Sequence, residues 1–132
     1  MIYLIDANVL VALHNDTGDD FPRAHQWFSS LGKDKFATCA ITQGGFLRTH
    51  LIYFPTDGVT AAFEKIRQLT HLPHHVWWGD DLSYVQVDPK HLQGRKQITD
   101  AWLAQLCRVK KGKIVTFDKG LSILHPDVAI LL

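Results

Sequence analysis

The sequence predicts an α/β protein in which a central, mostly parallel sheet lies between two layers of helices. Short β-branched or apolar runs alternate along the chain with amphipathic stretches of about ten or more residues, which is the pattern of strand–helix–strand units. Right-handed crossovers in such units place helices on both faces of the sheet. We therefore expect a three-layer α/β/α sandwich, with residues 1–132 forming a single domain.

The elements of the first half follow from hydrophobic spacing, helix caps and breakers. In order, they are strand Ile2–Asp6, a helix capped by Asn8 and ending at Leu13, a helix entered at Pro22 and stopped by Gly32, strand Phe36–Ala40, a helix capped by Thr42 and ending near Tyr53, and helix Thr60–Thr70. The last three helices have expected buried stripes at Ala24, Trp27, Phe28 and Leu31, at Leu47, Leu51 and Phe54, and at Ala62, Phe63, Ile66 and Leu69.

The second half predicts three more strands around one long helix. In order, the elements are strand His74–Trp78, an irregular connection over Asp80–Gly94, a helix from its N-cap Thr99 to about Lys111, strand Lys113–Phe117, a helical turn near Leu121 and strand Val128–Leu131. Adjacent strand residues face opposite ways, so at most one of Trp77 and Trp78 is expected to be exposed.

Composition agrees with one ordinary domain, since 46% of the residues are hydrophobic and 20% are charged. The apolar stretch nearest the amino end is only Val9 to Leu13, and no basic segment precedes it. We therefore expect neither a signal peptide nor a transmembrane helix, and a cytoplasmic protein with no membrane partner. Cys39 and Cys107 lack metal-ligand spacing and are predicted to be structural.

Three aspartates are predicted to meet at one edge of the sheet. Asp6 ends the first strand, Asp118 follows the strand Lys113–Phe117, and Asp100 opens the helix that leads into that strand. Because helices run back against the strands in an alternating chain, helix starts and strand ends share the edge where ligands bind. Carboxylate oxygens are ligands that hard divalent cations prefer. The sequence therefore predicts a metal site.

Charge is unevenly distributed around these aspartates. The segment Lys90–Lys119 has eight Lys or Arg against two acids, and those two acids are Asp100 and Asp118. Residues 1–89 have six basic against ten acidic side chains. Candidate metal ligands are thus embedded in a basic region, which favours a polyanionic substrate such as a phosphodiester.

Four stretches together resemble one known family. They are Met1–Leu13 with its Asp-Ala-Asn-Val-Leu core, Ile41–Arg48, Thr99–Ala104 and Thr116–Leu121, and His75–Asp81 is similar to a stretch found in one subgroup. They resemble the PIN domain of VapC-type toxins, in the expected order over essentially the whole chain. The resemblance implies a five-stranded parallel sheet and a Mg²⁺- or Mn²⁺-dependent endoribonuclease. It also implies an RNA substrate, a cognate antitoxin protein and a homodimer.

The resemblance places Asp6, Asp100 and Asp118 in the metal and catalytic site, and one position departs from the family pattern. The family has a Glu on the first turn of the helix after the second strand, where this chain has Gln43. An amide oxygen can ligate a cation weakly or through water, but one negative charge is lost. At about 4 Å and an effective dielectric near 20, a unit charge is worth roughly 4 kcal/mol before solvent relaxation.

Further residues are candidates for supporting roles. Asn8 and Thr116 could orient the carboxylates or a water from outside the ligand shell, although each could instead be only a helix cap or a strand residue. The candidate substrate-binding cations are Lys119, Arg95, Lys96 and Arg48, and for Arg48 a surface salt bridge is an equal alternative.

Two other functions remain open from the sequence. A receiver-like phosphotransfer domain shares the doubly wound fold, but it needs a mid-chain aspartate at a strand end, which is not evident here. Alternatively, the change at Gln43 leaves a non-catalytic PIN-like module that binds RNA or protein with a degenerate metal site. Metal-dependent cleavage of RNA separates these alternatives.

Overall fold

The three-layer α/β/α architecture predicted from the sequence is confirmed by a computed structural model that describes all 132 residues. The strands are β1 Ile2–Ile5, β2 Lys35–Thr38, β3 His75–Trp77, β4 Lys113–Thr116 and β5 Ala129–Leu131. The helices are α1 Ala7–Leu13, α2 Phe21–Ser29, α3 Ala40–Tyr53, α4 Gly58–Thr70, α5 Ile98–Lys110 and α6 Lys119–Leu124. Two short 3₁₀ turns, Tyr84–Gln86 and Arg95–Gln97, lie in the connection before α5. No helix has the length and apolarity needed to cross a bilayer.

The five strands form one sheet in the order β3-β2-β1-β4-β5, and every neighbouring pair is parallel. The central strand β1 pairs with β2 on one side and β4 on the other, with Leu4 opposite Ala37 and Ile5 opposite Val115. This register brings the carboxyl ends of the three inner strands to a common edge, so that the residues following them lie in one region.

The core has a separate layer on each face of the sheet. Successive residues of each inner strand belong to opposite layers, as Leu4 and Ile5 show in β1. One layer is completed by α5, whose buried side chains include Trp102 and Leu106. The other is completed by α1, α2, α3 and α4, with Phe46 of α3 at its centre. Burial on both faces explains why these strands are continuous apolar runs.

Helices α3 and α5 begin earlier than their predicted caps. The N-cap of α3 is Cys39, in extended conformation, and Thr42 lies at the third helical position, where its hydroxyl accepts from the Cys39 N–H at 3.1 Å. The N-cap of α5 is Gln97, so Thr99 is inside the first turn, as is Asp100. Both predicted caps were wrong for the same reason. Residue type alone does not distinguish a Thr inside the first turn of a helix from a Thr that caps the helix.

The buried row of α3 also differs from the prediction. Thr42, Phe46 and His50 are buried, whereas the predicted stripe of Leu47, Leu51 and Phe54 is only half-buried. The row includes a histidine because the His50 ring lies beside those of Phe46 and Phe54, with centroids 5.2 Å and 4.8 Å away, and its Nε2 is 3.0 Å from Asp57 Oδ2. Spacing of apolar residues could not reveal a buried polar ring.

The predicted stripe of α4 is correct at Ala62, Ile66 and Leu69, which are buried, and wrong at Phe63, which is exposed. Of the two adjacent tryptophans, Trp77 is 53% exposed and Trp78 is buried, as the alternation of strand residues predicts. Cys39 and Cys107 are free and buried, and burial raises the pKa of the Cys107 thiol.

Close approach of α1 and α3 at Gly45 gives a testable prediction. A Cβ at Gly45 would lie 2.8 Å from the Ala7 Cβ, whereas one at Gly44 would meet only the flexible end of Arg48 at 3.2 Å. Both Ala substitutions gain about 1 kcal/mol in helix propensity. At Gly45 we expect overpacking of about 1–3 kcal/mol to offset this gain. Denaturant unfolding should therefore show Gly44→Ala to be more stable than Gly45→Ala. Equal stabilisation by the two variants would contradict the close packing.

Candidate metal centre

The Thr116 hydroxyl at the end of β4 connects two of the candidate aspartates. It donates to Asp6 Oδ2 at 2.7 Å and accepts from the backbone N–H of Asp118 at 3.0 Å. Thr116 is fully buried, so its hydroxyl is fixed by these contacts. The Asn8 amide donates to the same hydroxyl at 3.4 Å, and its Oδ1 accepts from the Phe117 N–H at 3.2 Å. Thr116 thus contacts both Asp6 and Asp118, whereas Asn8 contacts Thr116 and Phe117 and neither carboxylate.

Asp6 follows β1 directly and forms the N-cap of α1. Its Oδ1 accepts from the Ala7 N–H at 2.8 Å, so the predicted cap at Asn8 is wrong. The helix begins two residues earlier than a cap at Asn8 implies, because the strand leads straight into it. Burial raises the pKa of the Asp6 carboxyl, hydrogen bonds from Thr116 and Ala7 lower it, and the charge of Asp118 raises it.

Asp118 is the corresponding residue after β4, two positions beyond Thr116. It is the N-cap of α6, and its Oδ1 accepts from the Leu121 N–H at 3.2 Å. Its side chain is exposed and its other carboxylate oxygen makes no hydrogen bond within the protein. The two strand-end aspartates are therefore held by the helices that they cap, each with lone pairs free.

Asp100 reaches the same edge from the first turn of α5. Its pKa is raised from 3.8 to about 6, first by burial and then by the negative charges of Asp6 and Asp118. The carboxylate makes no hydrogen bond and no ion pair that would offset these effects. Asp6 and Asp118 therefore lie close enough to Asp100 to destabilise its charged form.

Gln43 occupies the first turns of α3, and its amide makes a specific contact. Its Nε2 donates to Thr38 Oγ1 at 3.0 Å, and the same hydroxyl is 2.8 Å from His75 Nε2. Thr38 is the last residue of β2 and is fully buried, while burial lowers the pKa of the half-buried His75 imidazole. The Gln43 side chain therefore does not point only to solvent.

The four candidate substrate-binding cations are exposed, and none of them forms an ion pair. Lys119 is next to Asp118 at the start of α6, and Arg95 and Lys96 are in the 3₁₀ turn that precedes α5 and Asp100. Arg48 lies further along α3 with its guanidinium near Gly44, so its alternative role in a salt bridge is wrong. These cations are free to contact an anionic ligand.

The donor set fits a hard divalent cation in its chemistry. Mg²⁺ and Mn²⁺ prefer oxygen ligands, and such an ion would partly neutralise three carboxylates with free lone pairs. None of the three aspartates forms an ion pair within the protein, and burial raises the pKa of Asp6 and Asp100. The side chains do not form a ready-made shell, since no group of three or more His, Cys, Asp or Glu residues has metal-site geometry. Repulsion among unneutralised carboxylates favours such an open arrangement.

Sequence reasoning did not identify Thr38 and His75 as neighbours of the candidate site. The position of Thr38 was a usable signal, because it ends β2 just as Thr116 ends β4. His75 is the first residue of β3, within the strand predicted over His74–Trp78. Its contact depends on the register that places β3 beside β2, which local pattern does not reveal.

Comparison with known proteins identifies the family. Residues 3–124 match the PIN domain family. The chain is 38% identical to Ribonuclease VapC29 of Mycobacterium tuberculosis, covering all of this chain and 97% of that protein. It is 34% identical to Ribonuclease VapC44 of the same organism, with coverage of 91% and 88%. The crystal structure of Mycobacterium tuberculosis VapC20, a Sarcin-Ricin loop cleaving toxin, superposes with a TM-score of 0.69 at 15% identity over 92% of this chain and 94% of that one.

These matches confirm the resemblance and the PIN-like fold, and they exclude the receiver-like alternative. They cover the segments that carry all three aspartates. The chain belongs to the PIN domain family and, within it, is related to the VapC ribonucleases.

Proposed function

We propose that this protein is a Mg²⁺- or Mn²⁺-dependent endoribonuclease that cleaves structured RNA as the toxin of a toxin–antitoxin pair. The observation that supports this most directly is the grouping of Asp6, Asp100 and Asp118 at one edge of the sheet, where burial and mutual repulsion raise the pKa of two of them. Relationship to the VapC ribonucleases supports RNA as the substrate.

In this proposal the three aspartates hold the cation, and Gln43 contributes its amide oxygen weakly or through water. A bound divalent cation would supply an activated water and neutralise charge on the phosphodiester. Thr116 keeps the Asp6 carboxylate and the Asp118 backbone in a fixed relation. Asn8 in turn holds the Thr116 hydroxyl and the Phe117 N–H, so both residues position ligands without touching the substrate.

The exposed cations complete the proposed reaction site. Lys119, Arg95 and Lys96 carry unpaired positive charge next to two of the aspartates, where they could bind substrate phosphates and offset charge that develops during cleavage. Arg48 is assigned the same role or a contact with the antitoxin. Because these cations and Asp118 are all exposed, the edge is open rather than enclosed, which suits a bulky folded RNA.

The proposed antitoxin contact is a segment of that protein lying in a groove next to the aspartates. An open groove of about 400 Å³ lies among α1, α2 and α3, and its lining includes Asn8, Asp20, Phe21, Tyr53 and Phe117. Apolar walls and acidic residues suit a peptide with apolar side chains and a basic residue directed toward the acids. We also propose that the protein is cytoplasmic, because its substrate and antitoxin would be available there.

The first prediction tests the metal site through Asp100. Asp100→Asn should abolish Mg²⁺-dependent RNA cleavage, because it removes one of three ligand charges. It should not lower the metal-free melting temperature, because the ionised carboxylate is already disfavoured by burial and by two neighbouring charges. Gel-based cleavage of a structured RNA and thermal melting in EDTA measure the two effects.

Asp16→Asn is the matched control, since Asp16 is an exposed acid in the loop between α1 and α2. It should leave both cleavage and melting unchanged. Undiminished cleavage by Asp100→Asn would remove Asp100 from the site. Absence of metal-dependent cleavage in the unaltered protein would instead favour the non-catalytic, RNA- or protein-binding alternative.

Another prediction concerns the missing charge at position 43. Gln43→Glu should tighten Mn²⁺ binding and raise cleavage at limiting Mg²⁺, because a carboxylate adds negative charge near the aspartates. After screening, the gain should be about 1–2 kcal/mol, or roughly fivefold to thirtyfold in affinity. Calorimetric titration of both proteins with Mn²⁺ measures it, and unchanged affinity and stoichiometry would place residue 43 outside the metal shell.

We further propose a homodimer formed through the apolar surface at the end of α3 and on α4. Ile52, Tyr53, Val59 and Phe63 are each more than half exposed there, and Phe54 is half-buried beside them. Light scattering should give twice the chain mass of 15.0 kDa. Phe63→Glu should shift the protein toward a monomer, whereas Val85→Glu, at a 92% exposed position elsewhere, should not. A concentration-independent monomer in the unaltered protein would contradict the dimer.

A further inference from the structure

The contact between Gln43 and Thr38 determines which end of the Gln43 amide is left without a partner in the protein. The amide nitrogen donates to Thr38 Oγ1 at 3.0 Å. The Gln43 carbonyl oxygen has no hydrogen-bond partner. The only buried side-chain atoms without a partner are His50 Nδ1 and His125 Nε2, so the Gln43 oxygen is not buried. It is therefore open to solvent and available as an oxygen ligand.

The single proton of the Thr38 hydroxyl links the orientation of the Gln43 amide to the protonation of the His75 ring. A hydroxyl has one proton to donate and two lone pairs that accept. If the Thr38 hydroxyl donates its proton to His75 Nε2, at 2.8 Å, it can only accept a hydrogen bond from Gln43. The Gln43 amide must then direct its nitrogen toward Thr38. If His75 Nε2 carries a proton instead, the hydroxyl proton can turn to Gln43, and the amide oxygen would face Thr38.

The surroundings favour the first arrangement. Burial lowers the pKa of His75, which keeps the imidazole neutral at neutral pH and leaves one ring nitrogen as an acceptor. His75 Nδ1 has no partner within the protein and is not among the buried unpaired atoms, so it can carry its proton toward solvent. The Thr38 side chain is fully buried, and Gln43 and His75 are the only groups that its hydroxyl contacts.

We propose that Thr38 and His75 are positioning residues that hold the Gln43 amide with its oxygen directed away from Thr38 and toward the cation. This inference rests on the proposed function, because it assigns these residues a role at that metal site. An amide oxygen is a suitable ligand for Mg²⁺ or Mn²⁺, whereas an amide NH₂ carries partial positive charge and is not. A neutral residue can thus serve at this position only if its orientation is fixed.

The experiment measures Mn²⁺ affinity by calorimetry on metal-free protein. Thr38→Val should weaken binding about twofold to tenfold, because a released amide samples both orientations and a long side chain loses its fixed rotamer. Thr38→Ser retains the hydroxyl and should restore the affinity. Thr42→Val is the matched control, since it removes another buried hydroxyl near the start of α3, one that contacts only Cys39.

A double-mutant cycle shows whether Thr38 acts through Gln43. In a Gln43→Leu background, Thr38→Val should cause no further loss of Mn²⁺ affinity. His75→Phe keeps a ring beside Phe36 but removes the acceptor, so it should weaken binding as Thr38→Val does. Unchanged affinity in Thr38→Val, or an equal additional loss in the Gln43→Leu background, would overturn the proposal.

Nitrogen-15 NMR of metal-free protein gives a readout that does not depend on cleavage. His75 should be the neutral tautomer with its proton on Nδ1, and a proton on Nε2 would overturn the assigned orientation. If the unaltered protein cleaves RNA with Mn²⁺ but Thr38→Val binds Mn²⁺ normally, only the positioning role fails. If the unaltered protein neither binds Mn²⁺ nor cleaves RNA, the proposed function fails and the positioning role fails with it.

Discussion

Pairing of β1 with β4 is the constraint on which the candidate site depends. The two strands place Asp6 and Asp118 at neighbouring strand ends, and the buried Thr116 hydroxyl contacts the carboxylate of one and the backbone of the other. Like charges at this separation repel each other, so the arrangement needs the rest of the fold to maintain it. The helix N-termini that the aspartates cap supply part of that stabilisation, since each N-terminal N–H favours a negative partner.

The unbalanced charge at this edge of the sheet follows from the absence of ion pairs to its aspartates. The protein's ion pairs, which include Arg108 with Asp127 and Arg67 with Glu64, do not involve Asp6, Asp100 or Asp118. Asp100 is half-buried and makes no hydrogen bond. Burial, followed by the charges of Asp6 and Asp118, raises its pKa to about 6. Acidic and basic side chains that stay unpaired at one edge of a sheet do not stabilise the fold by pairing with each other. Such unpaired charge is a usual sign of a ligand site.

The sequence was sufficient to predict the layers, the strands and the placement of Asp6, Asp100 and Asp118 at one edge of the sheet, because these depend on hydrophobic period and on the geometry of parallel sheets. Features that depend on exact packing were not predictable. Caps were misplaced at Asn8, Thr42 and Thr99, since residues on either side of a helix start have similar composition. Burial of His50 and the contact of His75 with Thr38 required knowledge of which helices and strands are neighbours.

Thr38 and Thr116 are equivalent positions in the sheet, and this equivalence explains how the site accommodates Gln43. Each threonine ends a strand beside β1, is fully buried and uses its hydroxyl to hold a candidate ligand. Thr116 donates to a carboxylate, which needs no further orientation because both of its oxygens are acceptors. Thr38 accepts from an amide, whose two ends differ chemically, so it needs a second partner that consumes its proton. His75 is that partner, so an amide in place of a carboxylate at position 43 requires a contact from His75 in β3, two strands away from β1 and Asp6.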